Sequence, residues 1–287
     1  MFASEVKGRR FKSRREYFSF KVLKITSRDN QRLKFARRVR DGIEDDLIYV
    51  EGARLAEEVL HSNLKISDVL FTESYSQTER GGSFLQTIEN FNSAEVSQNI
   101  FDSISDTKNS QGIIVICEKP PTGKSFIERN LSANENLPLV ILLHQINNPA
   151  NLGAILRTCE AVNIAGVILT TNSADAFSPK ALRGAMGASL RLPIWMGADF
   201  FEVLDWARTK DLISVSADVN AARSYLEIDW IKPRLLIFGS EAHGLSAKEK
   251  ETIDESLLIP MENKVESLNL AVSCGVILFE AKRQIGN

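Results

Sequence analysis

Through the C-terminal half of the chain, short and mainly apolar runs alternate with stretches of helical periodicity. Residues 139–143, 166–169, 190–194, 212–216 and 235–238 read as strands. Between them, residues 152–162, a segment opening at Ser178-Pro179, and residues 200–208 read as helices, with proline at a first-turn position. Strand after helix in this order predicts a mostly parallel sheet with helices on both faces. Parallel neighbours need a crossover, and strands covered on both sides lose the apolar/polar alternation. A further apolar run at 257–260 ends in Met261. Glu266-Ser267-Leu268-Asn269 then opens a long apolar helix.

The N-terminal half is a second α/β unit. Residues 47–50, 66–71, 94–97 and 112–117 read as strands. Ser27 is placed to cap a helix that runs to about Arg40 and ends at Gly42. Behind Gly52, the residues Leu55, Ala56, Val59 and Leu60 mark an amphipathic helix. Gly81-Gly82 reads as a break before a helix over 84–91, and residues 98–104 as a helical turn. The expected organisation is a basic arm over 1–20, a unit over 21–117, a linker over 118–137 and a second domain over 138–287. The linker is inferred from Pro120, Pro121, Gly123 and an Asn/Ser-rich end without apolar period.

Charge is unevenly spread. Residues 1–40 hold 14 Lys and Arg against three acids, a net +11 on a chain whose total is −2. A basic segment on an otherwise acidic protein points to a polyanionic partner, most often nucleic acid, or else to a solvated tail. Arg28, Lys34, Arg37 and Arg38 of the first helix are the expected RNA contacts, with Arg9, Arg10, Lys12, Arg14, Arg15 and Arg40. No apolar run reaches the ~20 residues of a membrane span. The N-terminus lacks the apolar core of a secretory signal; a cytoplasmic location is expected, with an organelle presequence as the alternative. Cys117, Cys159 and Cys274 stand far apart in apolar settings, and His61, His144 and His243 lack ligand spacing, so reduced core thiols and no metal are expected.

In open parallel sheets, ligands bind beyond the carboxyl ends of the strands, and three such ends here are polar. After residues 139–143 comes HQINNPANLGAILRT. There Pro149 stiffens the turn, Asn151 sits where a helix cap would, Gly153 permits close backbone approach, and Arg157 lies inside an apolar stretch where it needs an anion or carbonyls. After 235–238 comes Gly239-Ser240-Glu241, with Glu241 placed to accept from free backbone N–H groups. Ser267 and Asn269 read as caps of the last helix. A dinucleotide fingerprint, a phosphate loop and a serine-hydrolase elbow are all absent. Ser240 is flanked two residues away by Phe238 and Ala242 rather than by glycines.

Three segments carry a resemblance: NNPANLGAILRT from Asn147, FGSEAHGL at 238–245, and IPM followed by VESLNLAVS at 259–273. In order and spacing they resemble the motifs of the SpoU (TrmH-type) RNA ribose methyltransferases of the SPOUT superfamily. Residues 24–117, with SRDNQRLK and VEGARLAEEV, resemble the ribosomal-protein-like substrate-binding domain often fused in front. Asn148 stands where Asp is common before proline, and Cys274 where a small residue is usual.

The resemblance implies a parallel sheet ending in a C-terminal trefoil knot, a homodimer, and S-adenosylmethionine as methyl donor. Gly239, Ile259 and Leu268 would contact the donor, with Met261 and Ser216 nearby. Arg157 matches the catalytic arginine, with Asn151, Glu241, Ser267 and Asn269 shaping the site. The activity implied is 2′-O-methylation of RNA, ribosomal RNA in preference to transfer RNA. The alternatives are a non-catalytic RNA-binding assembly protein and a transfer-RNA methyltransferase.

Overall fold

The computed structural model describes residues 23–133, 137–263 and 266–286. The arm at 1–20, with Arg9, Arg10, Lys12, Arg14 and Arg15, lies outside them. The N-terminal unit runs β1 (Leu23–Ile25), α1 (Gln31–Arg40), β2 (Leu47–Glu51), α2 (Ala53–His61), β3 (Ile66–Phe71), α3 (Glu73–Ser76), α4 (Glu79–Thr87), β4 (Ser93–Val96), α5 (Gln98–Phe101) and β5 (Ile113–Glu118). The C-terminal unit follows α6 (Lys124–Ser132). It runs β6 (Leu137–Leu143), α7 (Pro149–Val162), β7 (Ile164–Thr170), α8 (Pro179–Ala185), β8 (Ile194–Ala198), α9 (Phe200–Thr209), β9 (Ile213–Ala217), β10 (Arg234–Phe238), α10 (Ala247–Lys250), β11 (Glu255–Leu257) and α11 (Leu270–Ile285).

The six-stranded sheet has the order β11-β9-β10-β6-β7-β8 and every pairing in it is parallel, as the alternation predicts. Its central strands are buried throughout, from Val140 to Leu143 and from Leu235 to Ile237. The N-terminal sheet, β1-β4-β3-β5-β2, is mixed: β1, β4 and β3 are parallel, while β5 pairs antiparallel with both β3 and β2.

Several local expectations give way. Asn30, not Ser27, caps α1, its side chain accepting from the Arg32 N–H at 2.9 Å. The Gly81-Gly82 pair lies inside α4 rather than before it. A Cβ on Gly81 would sit 2.0 Å from the Tyr75 carbonyl oxygen, so the helix needs glycine to pack over that turn. The expected strand at 190–194 is a 3₁₀ turn (Ala188–Leu190), with β8 beginning only at Ile194.

The stretch taken as a linker holds α6. Ile127 of that helix is fully buried against Gly166 of β7, where a Cβ would lie 2.7 Å from its side chain. One buried isoleucine contributes about 1.5–3 kcal/mol, and Leu131, one turn on, packs partly buried against the same cluster, which seats the helix.

The two units pack directly. One apolar cluster runs without a break from Ile48, Leu55 and Val59 to Leu152, Leu182 and Ala188. Arg191 ties the units at the surface. Its Nη1 donates to Glu58 of α2 at 2.5 Å, and its Nε donates to Glu160 of α7 at 2.5 Å. Arg183 of α8 reaches Asp106 at 2.6 Å.

Candidate functional site

The carboxyl ends of β9, β10 and β11 and the start of α11 enclose an open cavity of about 850 Å³. Three loops build it, and each is shaped by its own sequence. After β6, Asn148 caps α7 by accepting from the Ala150 N–H at 2.9 Å, with Pro149 at the first position. Asn151 therefore is not the cap expected of it, and its side chain is free to reach across the site.

After β10, residues 239–245 fold back on themselves. The Ser240 N–H donates to the Gly244 carbonyl at 3.2 Å and the Gly244 N–H returns to Ser240 at 2.8 Å. A Cβ on Gly239 would lie 2.4 Å from the Gly244 carbonyl carbon, so glycine is required there by loop closure. At the head of α11, Asn269 accepts from the N–H groups of Ala271 and Val272 at 2.9 and 3.4 Å. Ser267 lines the cavity but is not the cap.

A chain of hydrogen bonds joins these loops. Asn151 Nδ2 donates to Glu241 Oε1 at 2.5 Å. Glu241 Oε2 accepts from the N–H groups of Asn147 and Asn148 at 3.2 and 3.3 Å. Asn269 Nδ2 donates to Asn151 Oδ1 at 3.1 Å. Glu241 thus accepts from backbone N–H groups, those of the turn before α7. Gly239, Ile259, Met261 and Leu268 also line the cavity.

Two residues fall elsewhere. Ser216 is buried in β9, paired with Ile237 and Ser256; Ala217 and Asp218, one and two positions on, reach the cavity wall. The strand is shifted one residue on from the run 212–216, spanning Ile213–Ala217, which moves the lining past Ser216.

Arg157 lies exposed on α7 and outside the cavity lining. Among the described residues it has no ion-pair or hydrogen-bond partner. The salt bridge that a guanidinium in a mainly apolar stretch would ordinarily find is not formed among the described residues.

Sequence reasoning missed Asp218 and Lys250, which meet at 2.5 Å in the cavity wall, and His144 behind it. His144 is buried at the end of β6. Its Nε2 lies 3.1 Å from Glu249 Oε1, its Nδ1 lies 3.2 Å from Thr170 Oγ1, and its ring stands edge-on to Phe200. Burial pushes the imidazole pKa below its ordinary value despite the neighbouring Glu249 carboxylate. The signal available in the sequence was position: His144 and Asp218 stand one place beyond a strand, and Lys250 ends a short helix.

Lys34 and Arg38 of α1 are exposed on the N-terminal unit, as is Arg28 in the turn before the helix, and Arg37 is partly exposed. Arg37 donates to Ser103 at 3.2 Å and Arg38 pairs with Glu44 at 2.8 Å, so part of their charge is already engaged. Cys117, Cys159 and Cys274 are free and buried. Among the described residues no His, Cys, Asp and Glu cluster suits a metal ion, and no helix is long and apolar enough to cross a membrane.

A model described as the SpoU rRNA methylase family matches residues 138–279, the segment that carries all three loops. A 23S rRNA (guanosine-2′-O-)-methyltransferase, RlmB of Coxiella burnetii, is 31% identical over 190 residues, 66% of this chain and 76% of that protein. The chain belongs to the SpoU methylase family.

A second model, the MRM3-like substrate binding domain, matches residues 30–115. Similarity extends over nearly the full length to a 23S rRNA (guanosine(2553)-2′-O)-methyltransferase, RlmP of Bacillus subtilis. It is 26% identical and covers 90% of this chain and 98% of its own. The AdoMet-bound rRNA methyltransferase of Sinorhizobium meliloti superposes with a TM-score of 0.77 at 25% identity, over 92% of this chain and 98% of that one. A solved RNA 2′-O ribose methyltransferase gives 0.76 at 28% identity, over 91% and 99%.

Proposed function

We propose that this SpoU protein transfers a methyl group from S-adenosylmethionine to the 2′-hydroxyl of a ribose in RNA, with ribosomal RNA as the substrate class. The observation that carries this reading is the chain Glu241–Asn151–Asn269, which draws the three motif loops around one cavity. The printed activities of the relatives and the donor bound in a superposable structure support it.

The residues present fit the donor. The cavity volume lies in the ~300–1,000 Å³ range of small-molecule sites. Leu268 lines it while 36% exposed, an apolar surface that a planar base would cover. Gly239, Ile259, Met261 and Leu268 would hold the donor, which supplies an electrophilic methyl group on a sulfonium.

The remaining steps belong to the chain and its substrate. Both oxygens of Glu241 are engaged, so it fixes Asn151 and the 147–148 backbone rather than taking a proton. A guanidinium stays protonated and makes a poor base. Arg157 therefore binds an RNA phosphate and orients the 2′-hydroxyl, whose proton leaves through that phosphate. Ser267 lines the acceptor side. Orientation and charge stabilisation supply much of the rate for an in-line methyl transfer.

The position of Arg157 supports action in a partner's site within a homodimer. Helices α7 and α11 meet where Thr158 faces Gly275, at 4.0 Å from a Cβ built there. Val272 and Phe279 flank Gly275 on the same helical face and are 52% and 57% exposed. A second copy covering that face would bury them and carry Arg157 to the neighbouring cavity.

The trefoil knot is likewise proposed. Strand β11 lies at the sheet edge beside β9, yet α11 returns to pack on α7, the helix that follows the central strand β6. We divide the chain as arm 1–20, RNA-binding unit 21–117, connection 118–137 and catalytic unit 138–287. Arg28, Lys34, Arg37 and Arg38, with the arm, would supply phosphate contacts. The expected compartment is the cytoplasm.

Incubation with labelled S-adenosylmethionine and separate ribosomal and transfer RNAs tests the reading. Label is expected in ribosomal RNA as 2′-O-methyl nucleoside. Label confined to transfer RNA, to a base, or to neither RNA would contradict it.

A further inference from the structure

An ion pair lies in the cavity wall. Lys250 Nζ lies 2.5 Å from Asp218 Oδ2, and both residues line the cavity. Among the described lining residues Lys250 is the only permanent cation; the other charged side chains are Asp218 and Glu241. Glu241 is occupied by Asn151 and two backbone amides, whereas Lys250 has two further N–H donors and Asp218 retains free lone pairs.

The pair is held from both sides. Asp218 follows β9. Its N–H donates to the Leu257 carbonyl at 2.8 Å, and its Oδ1 accepts from the Asn220 N–H at 2.9 Å. Burial acts to raise the Asp218 pKa, but Lys250 and the Asn220 N–H outweigh it and keep the carboxyl below its ordinary value. Lys250 ends α10, and that short helix is pinned by its neighbour Glu249, which reaches buried His144 and closes a capping box with Ser246. The Asp218 side chain is 15% exposed, so the carboxylate is largely withdrawn from water at a point facing a ligand cavity.

An ammonium and a carboxylate side by side complement a ligand that carries the opposite charges equally close together. The methyl donor has such an end: its α-ammonium and α-carboxylate share one carbon. We infer that Asp218 and Lys250 form the subsite for the amino-acid end of the donor, Lys250 meeting the carboxylate and Asp218 the ammonium. The inference rests on the methyl-transfer reading above. It assigns to the pair the recognition of one half of the donor, and leaves the adenosine half to Ile259 and Leu268.

Two nucleosides separate the halves. S-adenosylhomocysteine keeps the amino-acid end; 5′-methylthioadenosine keeps adenosine and the thioether and lacks that end. Calorimetric titration of the full chain is expected to show S-adenosylhomocysteine binding about tenfold tighter or more, the worth of one charge-assisted contact. Lys250→Met should weaken S-adenosylhomocysteine by about the same factor and leave 5′-methylthioadenosine within about twofold, which also reports that the cavity is intact. Lys250→Arg should restore most of the preference, and Asp218→Asn should reduce it.

An unchanged ratio in Lys250→Met, or equal loss of both nucleosides, would overturn the assignment; the pair would then serve the cavity's shape or the ribose common to both. A wild type that binds both equally would overturn it as well. If neither nucleoside bound the wild type, the methyl-transfer reading would fall, and this inference with it.

Discussion

Asn151 Nδ2 donates to Glu241 Oε1 at 2.5 Å across 90 residues of sequence, joining the start of α7 to the loop after β10. Glu241 is exposed and Asn151 only partly buried, so water can replace much of what the bond contributes to folding. Glu241→Gln should therefore change stability by less than about 1 kcal/mol. It converts one acceptor to a donor, and either Asn151 or the 147–148 amides lose their partner. The methylation rate should fall tenfold or more through misplacement of the site. Melting temperature and kcat/KM measured together check this; equal activity would show that the loops hold their places without Glu241.

Gly153→Ala tests the scaffold beneath the site. A Cβ there would lie 2.5 Å from the Ala181 carbonyl oxygen and 2.8 Å from Gly184 Cα, both backbone atoms of α8. No flexible side chain can yield, so α7 and α8 must separate. A loss of about 1–3 kcal/mol is expected, as for other overpacked cores. Thermal or denaturant unfolding reads it, and an unaltered midpoint would mean the helices slide apart without cost.

His144 gives stability a pH dependence. Burial holds its folded-state pKa below the ordinary 6.5, so the native state keeps the ring neutral while the unfolded chain takes up a proton. The stability that depends on a neutral ring is fully present above about pH 6.5 and is lost as pH falls toward the depressed native value. His144→Gln should flatten this part of the profile. Denaturant midpoints between about pH 5 and 7.5 would show it; an equal slope in the variant would assign the dependence to other groups.

The dimer proposed for Arg157 predicts complementation. Arg157→Ala lacks the group brought to the partner, and Asn151→Ala lacks one in the cavity that receives it. Mixed and reassembled, the two should regain part of the activity that each has lost, because one of the two sites in the mixed dimer has every group. No recovery from a verified mixed dimer would place Arg157 in its own chain's site.

The parallel sheet was legible because residues such as Val140–Leu143 and Leu235–Phe238 are buried on both faces and so carry an unbroken apolar signal. The cavity residues were legible where a motif fixes them, as with Gly239, Ile259 and Asn269. Local pattern failed where tertiary contact decides. Gly81 and Gly82 read as a break but serve helix packing over Tyr75. Gly239 looked like room for a ligand and is needed for closure onto Gly244. The helix α6 carries one buried residue, Ile127, too little for an apolar period. Asp218 and Lys250 belong to no short motif, and their pairing across 32 positions of sequence becomes visible only when β9 and α10 converge on the cavity.

The central claim is methylation at the ribose 2′-oxygen, directed by Arg157. A 2′-O-methyl group removes the nucleophile that alkali uses to cleave the adjacent phosphodiester. Partial alkaline hydrolysis of ribosomal RNA treated with the protein and S-adenosylmethionine should show one missing rung in the ladder. The rung should return with Arg157→Ala. A complete ladder beside methyl groups on bases, or a missing rung that persists in Arg157→Ala, would contradict the account.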